Sequence, residues 1–348
     1  MRLPRPNLRS VAYVAAVAVA SGPAARAQDL HFSHLAAVPT QTNPAYTGLL
    51  EQRARVGVSY RSQWDNFTEG FKTATLSADM KTYQAANGAL GVGLYVNSDR
   101  AGDLGFATQQ VGMSGAYLMA VDAKTYVSLG IQGTYNAQRI DWSAAEGLEF
   151  EPLQLRGNGR AGYLGVSSGA AVFQRVTRRL AWFGGLAGGN LNRPDASFLG
   201  DGRADDADLL YRRWTFHGGA EIQFGRFNAV RPSVLYLHQG PNRQMKIGSY
   251  YRYRADRGIS TDAQLAAHFG IFVRHSFYAD AWTADALVLA LRFDWHDTII
   301  TASFDTNVSS LTAATNGVGG PEISLVQHFD WGQRRSKRTK LDCPTFQY

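Results

Sequence analysis

The sequence contains a single cysteine, Cys343, in 348 residues. One thiol forms no intramolecular disulfide and cannot supply a zinc site built from several cysteines. Long hydrophobic runs are also missing, because no window after the N-terminus has about 18 consecutive apolar residues, the length of a membrane-spanning helix. The fold must therefore be held without disulfides and, beyond its N-terminal run, without a membrane helix.

The N-terminal run has the pattern of an export signal. Arg2, Arg5 and Arg9 precede the apolar stretch "VAYVAAVAVA", Val11–Ala20, and "ARA" then places small residues where a signal peptidase cleaves. We predict a signal peptide over residues 1–27, cleaved before Gln28. The alternative, a transmembrane anchor, is disfavoured because the run is too short to cross a hydrocarbon layer about 30 Å thick. An exported chain without membrane helices is either a soluble protein or a closed β-barrel.

Positive charge is concentrated at the two ends of the chain. The formal net charge is +7, and loss of the four arginines of the signal leaves +3. The segment 332–348 carries five cations and one aspartate, so the body between Gln28 and Trp331 has a net charge of about −1. This distribution gives no basic face to the body, and we predict no nucleic-acid binding.

Most of the remaining chain alternates apolar and polar residues. In "DALVLALRFDW", Asp285–Trp295, leucine, phenylalanine and tryptophan occupy one parity, and Arg292 and Asp294 the other. This period of two predicts strands. We count about fourteen such runs, near 53–61, 71–80, 88–97, 106–120, 124–136, 160–173, 178–190, 211–224, 231–238, 245–254, 266–277, 285–295, 298–306 and 320–331. Upstream, "HFSHLAAVPTQTNPAYTG" is irregular, and we predict that 28–50 is a periplasmic N-terminal lead-in.

The apolar parity could face a protein core or lipid. A soluble β-sandwich or secreted barrel would turn it inward, but here the polar parity suits a wetted or polar-packed lumen. Aromatic residues at run ends, Trp182, Trp295, Trp331 and Tyr135, suit the headgroup level. We therefore predict an all-β fold, a transmembrane outer-membrane antiparallel β-barrel of about 14 strands over 51–331. An even strand number puts both termini in the periplasm. The largest loops fall near 137–159 and 191–210, and we predict that the second is extracellular.

Short motifs give no support to catalysis or metal binding. "GNGRAG", Gly157–Gly162, has the spacing of a dinucleotide loop, but no helix is predicted after it. "DGRADDAD" from Asp201 matches a calcium loop only in acid content. His275 and Ser276 fall on opposite faces of a strand, and no nucleophile elbow is present. A barrel-embedded acyl hydrolase is the remaining enzyme alternative, and we predict no enzyme, no catalytic residues, no cofactor and no metal.

The C-terminal segment 332–348 extends beyond the last predicted strand. A solvated basic end is one interpretation. The other is a periplasmic tail that binds an acidic partner, anionic headgroups or cell-wall polymer, and in which the cysteine can cross-link to a partner. The predicted partner-binding residues are Arg334, Arg335, Lys337, Arg338, Lys340 and Cys343.

Segments spread along the whole mature chain resemble one family. They are "QDLHFSHL", "TNPAYTG", "GVSYRSQW", "GVGLYVNSDRAGDLG", "RPSVLY", "FDTNVSSL", "GGPEISL" and the ending "CPTF". In this order they resemble the PorP/SprF family of Bacteroidota outer-membrane proteins linked to type IX secretion and gliding motility. The resemblance implies a barrel that assists secretion or surface anchoring of a cargo such as an adhesin. It also implies periplasmic partners: lipoprotein or ring components, or a peptidoglycan-binding linker.

Two functions remain open at this point. The first is a barrel occluded by inward side chains and the N-terminal segment, whose loops meet cargo and whose lead-in and tail meet periplasmic machinery. The second is a passive, porin-like diffusion channel with a continuous water path through the same strands. Outer-membrane lipid surrounds the barrel in both.

Overall fold

The computed structural model of the chain describes residues 38–63, 70–85, 87–101, 105–140, 159–196, 209–255, 265–278, 281–308 and 319–331. Fourteen strands make up most of these residues. They are β1 Ala54–Gln63, β2 Phe71–Gln84, β3 Gly88–Ala101, β4 Phe106–Ala120, β5 Thr125–Arg139, β6 Arg160–Arg175, β7 Leu180–Gly189, β8 Arg213–Phe224, β9 Asn228–Gln239, β10 Asn242–Ala255, β11 Leu265–Tyr278, β12 Ala281–Trp295, β13 Thr298–Asn307 and β14 Pro321–Phe329. A four-residue helix, α1 Pro39–Thr42, and a 3-10 helix, Pro44–Tyr46, precede them.

The strands form one closed antiparallel barrel. Each strand pairs with its neighbours in sequence, and β1 closes the sheet on β14, from Ala54 opposite Phe329 to Arg61 opposite Glu322. Closure leaves no unpaired edge, which is the condition for a sheet to cross lipid. The predicted fold class, a transmembrane outer-membrane barrel of about 14 strands, is confirmed. Among the described residues, no helix is long and apolar enough to span a membrane.

The even strand number brings the start of β1 and the end of β14 to the same end of the barrel, which we call the termini end. Turns at this end include Val121–Lys124 and His296–Asp297. The opposite end, the loop end, carries the connections 140–159 and 190–212. These contain most of the two predicted large loops, of which 141–158 and 197–208 lie outside the described residues.

Apolar side chains cover the outside of the barrel. On β5 the exposed Leu129 and Ile131 alternate with the buried Ser128 and Gln132, and Ile131 is 71% exposed. On β12 the exposed Leu291 lies between the buried, inward-facing Ala290 and Arg292. The apolar parity therefore faces outward, as predicted, and the polar parity lines the interior.

Exposed tryptophans mark both ends of the apolar surface. Trp182, Trp295 and Trp331 lie close to the termini end, whereas Trp214 and Trp282 lie close to the loop end. Tryptophan favours the membrane–water boundary, so the two groups bracket a membrane-embedded band. Tyr135, predicted at the end of a strand, lies inside β5, four residues before its last residue.

A proline interrupts the ladder between β8 and β9. Pro232 has no backbone N–H to donate. The pairing runs through Gly219 opposite Ser233 and resumes at Ile222 opposite Val230, and the two residues between are unpaired on each strand. A barrel of fourteen strands tolerates this local gap because the pairing of β9 with β10 is continuous, including Pro232 opposite Ser249.

Candidate functional site in the barrel interior

The residues Val38–Leu50, which we call the interior segment, lie against the inner wall of the barrel. Pro39 and Pro44 each stand at the start of a short helix, where the missing N–H of proline is harmless. Asn43 lies between the two helices in an extended conformation, and its side-chain oxygen accepts a hydrogen bond from Ala45 N at 2.9 Å. Residues 38–50, the described part of the predicted lead-in 28–50, therefore lie inside the barrel. An N-terminal segment that occludes the lumen is one of the two alternatives that the sequence left open.

Asn43 is the central anchor of the interior segment and is fully buried. Its side-chain amide donates to the backbone carbonyls of Ala170 on β6, at 3.0 Å, and Leu186 on β7, at 3.2 Å. The same nitrogen lies 3.0 Å from Nε2 of His217 on β8. One asparagine thus ties the segment to three adjacent strands.

His217 connects Asn43 to Tyr46. Nδ1 of the imidazole lies 3.0 Å from the Tyr46 hydroxyl. The Tyr46 ring packs edge-on against Phe173, with 5.8 Å between the ring centroids. Because the asparagine nitrogen is a donor, the arrangement fits an imidazole that accepts at Nε2 and donates from Nδ1. The histidine and tyrosine are buried, so these contacts replace water for groups that would otherwise be unsatisfied.

Further polar contacts follow the segment toward the termini end. Ser128 Oγ donates to Ala45 O at 2.6 Å, and the Thr47 hydroxyl donates to Ser114 Oγ at 2.8 Å. Gly48 N then donates to Asp79 Oδ2 at 2.8 Å. The last contacts are from Lys81 Nζ to the carbonyls of Leu50 and Glu51, at 2.8 and 3.1 Å. The segment is thereby held along its length by backbone and side-chain groups of β2, β4 and β5.

Glycines on the inward face create the space for the segment. A Cβ added to Gly130 would collide with the backbone of Pro44 and Ala45, one on Gly169 would collide with the Asn43 side chain, and one on Gly91 would lie 2.5 Å from Thr47 O. Gly133, on the outward face of β5, would meet no atom within 4 Å. The three inward glycines therefore leave the room that the interior segment occupies, whereas the outward Gly133 faces no such neighbour.

Much of the rest of the interior is lined by charged side chains, which we call the ion-pair wall. Its members on β8 to β14 and β1 are Arg61, Glu221, Arg231, Arg252, His268, Arg274, Asp285, Arg292, Asp294, Asp305 and Glu322. Asp305 accepts from Arg61 Nη2 at 2.8 Å and from Arg274 Nη1 at 3.0 Å. Glu221 pairs with Arg231 and, at 3.0 Å, with Arg252. Buried charges are tolerated where each has opposite charges in contact, as here.

A further ion pair fixes the end of the interior segment. Arg55 on β1 makes two parallel hydrogen bonds to Asp79, at 2.8 and 2.9 Å. Asp79 Oδ2 is also the acceptor for Gly48 N. The carboxylate that fixes the end of the interior segment is therefore itself oriented by a bidentate arginine.

The described groups of the interior make hydrogen bonds and ion pairs with one another. Ser276, weighed above as a nucleophile, donates its hydroxyl proton to Asp285 at 2.9 Å. The glycine motif at 157–162 leads into strand β6 and not into a helix. Within the described ranges, no group of three or more His, Cys, Asp or Glu residues is arranged to hold a metal.

The predicted partner-binding residues Arg334, Arg335, Lys337, Arg338, Lys340 and Cys343 lie outside the described residues, and so do the predicted signal peptide and the acidic segment from Asp201. The residues that hold the interior segment were not predicted. A signal was present for two of them, because Asn43 and Tyr46 fall in "TNPAYTG", one of the segments that carried the family resemblance. His217 and the inward glycines gave no comparable signal.

Comparison with known proteins places the chain in a family. The model described as "Type IX secretion system membrane protein PorP/SprF" matches residues 24–325. Among curated proteins, none matches the chain by sequence.

Solved structures with a similar arrangement of strands are distant. They include a TodX monoaromatic hydrocarbon channel deltaS2 mutant, at 12% identity and TM-score 0.49, covering 84% of this chain and 94% of that one. The CymD monoaromatic hydrocarbon channel has 10% identity and TM-score 0.49, with 85% and 94% covered. CdiB from Acinetobacter baumannii has 8% identity and TM-score 0.46, with 80% and 60% covered. Likeness at this level carries no information on what this chain transports or binds.

Proposed function

Because the chain belongs to the PorP/SprF family of type IX secretion membrane proteins, we propose that it assists the secretion or surface anchoring of a cargo protein, such as an adhesin, in the outer membrane. Both termini face the periplasm in this proposal, and the loop end faces outward. The loops meet cargo, and the C-terminal tail meets periplasmic components of the secretion system.

The observation that supports this over a diffusion channel is the interior segment. Its buried asparagine, tyrosine and threonine are matched to polar groups of the wall, and inward glycines leave room for its backbone. A passive pore works by keeping a water path open. A barrel filled by a fitted segment on one side and ion pairs on the other is better suited to presenting surfaces to other proteins.

The experiment has two readouts on the same strain and protein. Loss of the gene should leave type IX cargo in the periplasm, as measured by mass spectrometry of surface and supernatant fractions, and the full chain should restore its release. The purified full chain in planar bilayers should show no steady large conductance. Normal cargo release without the gene, together with a steady conductance, would support the porin-like channel instead.

The role of the tail is tested with a chain that ends at Trp331. It retains the last residue of the described barrel, so it should insert and migrate as a folded barrel. In affinity capture from outer membranes, we expect the full chain to retain periplasmic type IX components and the shortened chain to lose them. Substitution of the five cations, Arg334, Arg335, Lys337, Arg338 and Lys340, by alanine separates charge from length, and Cys343→Ser tests cross-linking. Unchanged capture by all variants would remove the tail from the proposal.

A further inference from the structure

A pocket of about 710 Å³ lies on the outer surface of the barrel, at the loop end of β2 to β6. Four cations line it, Lys72, Arg100, Arg139 and Arg160, which we call the basic rim. All four are exposed and alternate with inward neighbours, so they belong to the outward parity. The pocket is thus separate from the barrel interior described above.

The strand register aligns the basic rim in one row across five strands. Lys72 lies directly opposite Arg100, and Arg139 directly opposite Arg160. Ala107 stands between the two pairs, opposite both Arg100 and Arg139. Like charges directly opposite each other in a sheet repel and lower stability. An anion bound over the small central alanine would relieve the repulsion between Lys72 and Arg100 and would also reach Arg139.

The rows below the basic rim change from polar to apolar. Ser98 opposite Gln109 forms the next row toward the membrane centre. The row after it is Val96, Val111, Tyr135 and Leu164, each directly opposite the next and all exposed. The apolar row lies two rows from the basic rim, which is about 13 Å along a strand, or about 10 Å along the membrane normal at the usual tilt. A ligand that fits this order has an anionic head, a polar linker and apolar chains.

Other cations at the loop end already have partners within the protein. The Arg243 guanidinium lies 4.7 Å from the centre of the Phe277 ring, and Arg212 Nε donates to Leu191 O at 3.1 Å. In contrast, no salt bridge among the described residues involves Lys72, Arg100 or Arg139. Lys72, Arg100 and Arg139 are therefore the cations of the basic rim that this end offers to an external anion.

We propose that the basic rim binds the phosphate groups of a phosphorylated glycolipid of the lipid A class, with its acyl chains against the row from Val96 to Leu164. The choice of a glycolipid of the outer leaflet rests on the proposed orientation, in which the loop end faces outward. Arginine guanidinium groups match phosphate oxygens with two parallel hydrogen bonds, and two arginines across Ala107 can engage separate oxygens. Ser98 and Gln109 then face the polar sugar.

The test measures lipid retention by the refolded full chain in detergent, using native mass spectrometry. The probes are lipid A with its phosphates, dephosphorylated lipid A and phosphatidylglycerol. We expect phosphorylated lipid A to be retained best, and the double substitution Arg100→Ala with Arg139→Ala to weaken retention about tenfold or more, since each removes charge-assisted hydrogen bonds. Arg100→Lys with Arg139→Lys, which keeps the charge without the planar fork, should fall between.

The matched control is Arg178→Ala with Arg179→Ala, which removes the same charge from the exposed β6–β7 turn at the termini end. It should leave retention unchanged. Heat-dependent gel mobility checks that every variant is a folded barrel. Equal retention by the rim variant and the parent, or equal retention of dephosphorylated lipid A, would overturn the lipid site. Equal retention of phosphatidylglycerol would overturn the glycolipid class. Binding in detergent depends neither on orientation nor on secretion, so failure of the proposed function would not affect this result.

Discussion

The two sides of the barrel interior are filled by different means. Along β3 to β8 the inward positions include glycine, alanine and serine, and the interior segment occupies the space that they leave. Along β9 to β14 and β1, and at Glu221 on β8, the inward positions carry arginine, aspartate and glutamate, whose side chains pair between strands that are adjacent or two apart. One side is packed by a piece of backbone, and the other by paired charges.

The two sides differ in whether the groups that fill them can be displaced from the wall. The interior segment is a stretch of chain that precedes β1 and is attached to the wall through hydrogen bonds, among them those of Asn43, Tyr46 and Thr47. It could leave the wall as a unit. The ion-pair wall consists of side chains on the strands themselves, and removal of one partner leaves a buried charge uncompensated. We therefore expect changes on the first side to alter the state of the lumen and changes on the second to alter the stability of the barrel.

The largest effect should come from filling the space under the interior segment. Gly130→Val places side-chain atoms where the backbone of Pro44 and Ala45 lies, and these backbone atoms cannot move aside without the whole segment. We expect displacement of the segment, measured as new conductance in planar bilayers and new protease cleavage within 38–50. Gly133→Val on the outward face of the same strand is the control and should show neither new conductance nor new cleavage. If Gly130→Val showed no new conductance and its interior segment resisted protease, the claim that Gly130 leaves necessary room for the segment would be wrong.

The next effect is a loss of stability on the opposite side. Asp305→Asn removes the charge that pairs with Arg61 and Arg274, and its side chain is 3% exposed. We expect the free energy of unfolding to fall by about 3–5 kcal/mol, measured by denaturant titration with gel mobility, without new conductance. Asp297→Asn, at the exposed β12–β13 turn, should change it by about 1 kcal/mol or less. If Asp305→Asn lowered the free energy of unfolding no more than about 1 kcal/mol, as expected for Asp297→Asn, the ion pairs of Asp305 would add little stability.

A smaller effect should follow from one hydrogen bond within the interior segment. Tyr46→Phe keeps the ring against Phe173 but removes the contact with Nδ1 of His217. We expect a loss of about 1 kcal/mol in the free energy of unfolding and partial protease cleavage of the segment. Tyr60→Phe serves as the control, because that ring is exposed on the outer surface. Full protection of the segment in Tyr46→Phe would show that the histidine contact does not hold it.

The smallest effect should lie outside the interior, at the β4–β5 turn. Backbone N–H groups of Lys124 and Thr125 donate to Asp122 and hold the pKa of its carboxyl below the usual value. Its contribution is therefore present above the usual carboxyl pKa and is lost as the pH falls through the lowered value. Asp122→Ala should be slightly less stable at neutral pH and should converge with the parent in acid, as followed by unfolding at several pH values. A constant difference at every pH would rule out the carboxylate as its cause.

Much of the barrel could be predicted from the sequence. The alternation in segments such as Asp285–Trp295 reports the period of two and the polarity of each face, and both depend only on neighbours along the strand. The interior segment could not be predicted in the same way. Asn43 meets Leu186 across 143 positions and His217 across 174, and no local pattern encodes such a contact. Tyr135 was misplaced because strand ends are poorly marked by single-sequence periodicity.

The sequence by itself determined that this chain has an apolar outside, a polar inside and an even set of strands long enough to cross a membrane, because alternation is a local property. Only the tertiary structure decided what each inward residue faces. Closure of β1 on β14 and the register of all fourteen strands bring Gly130 under Pro44, Arg61 to Asp305, and four cations into one outer row. These juxtapositions depend on register, which only the closed sheet fixes.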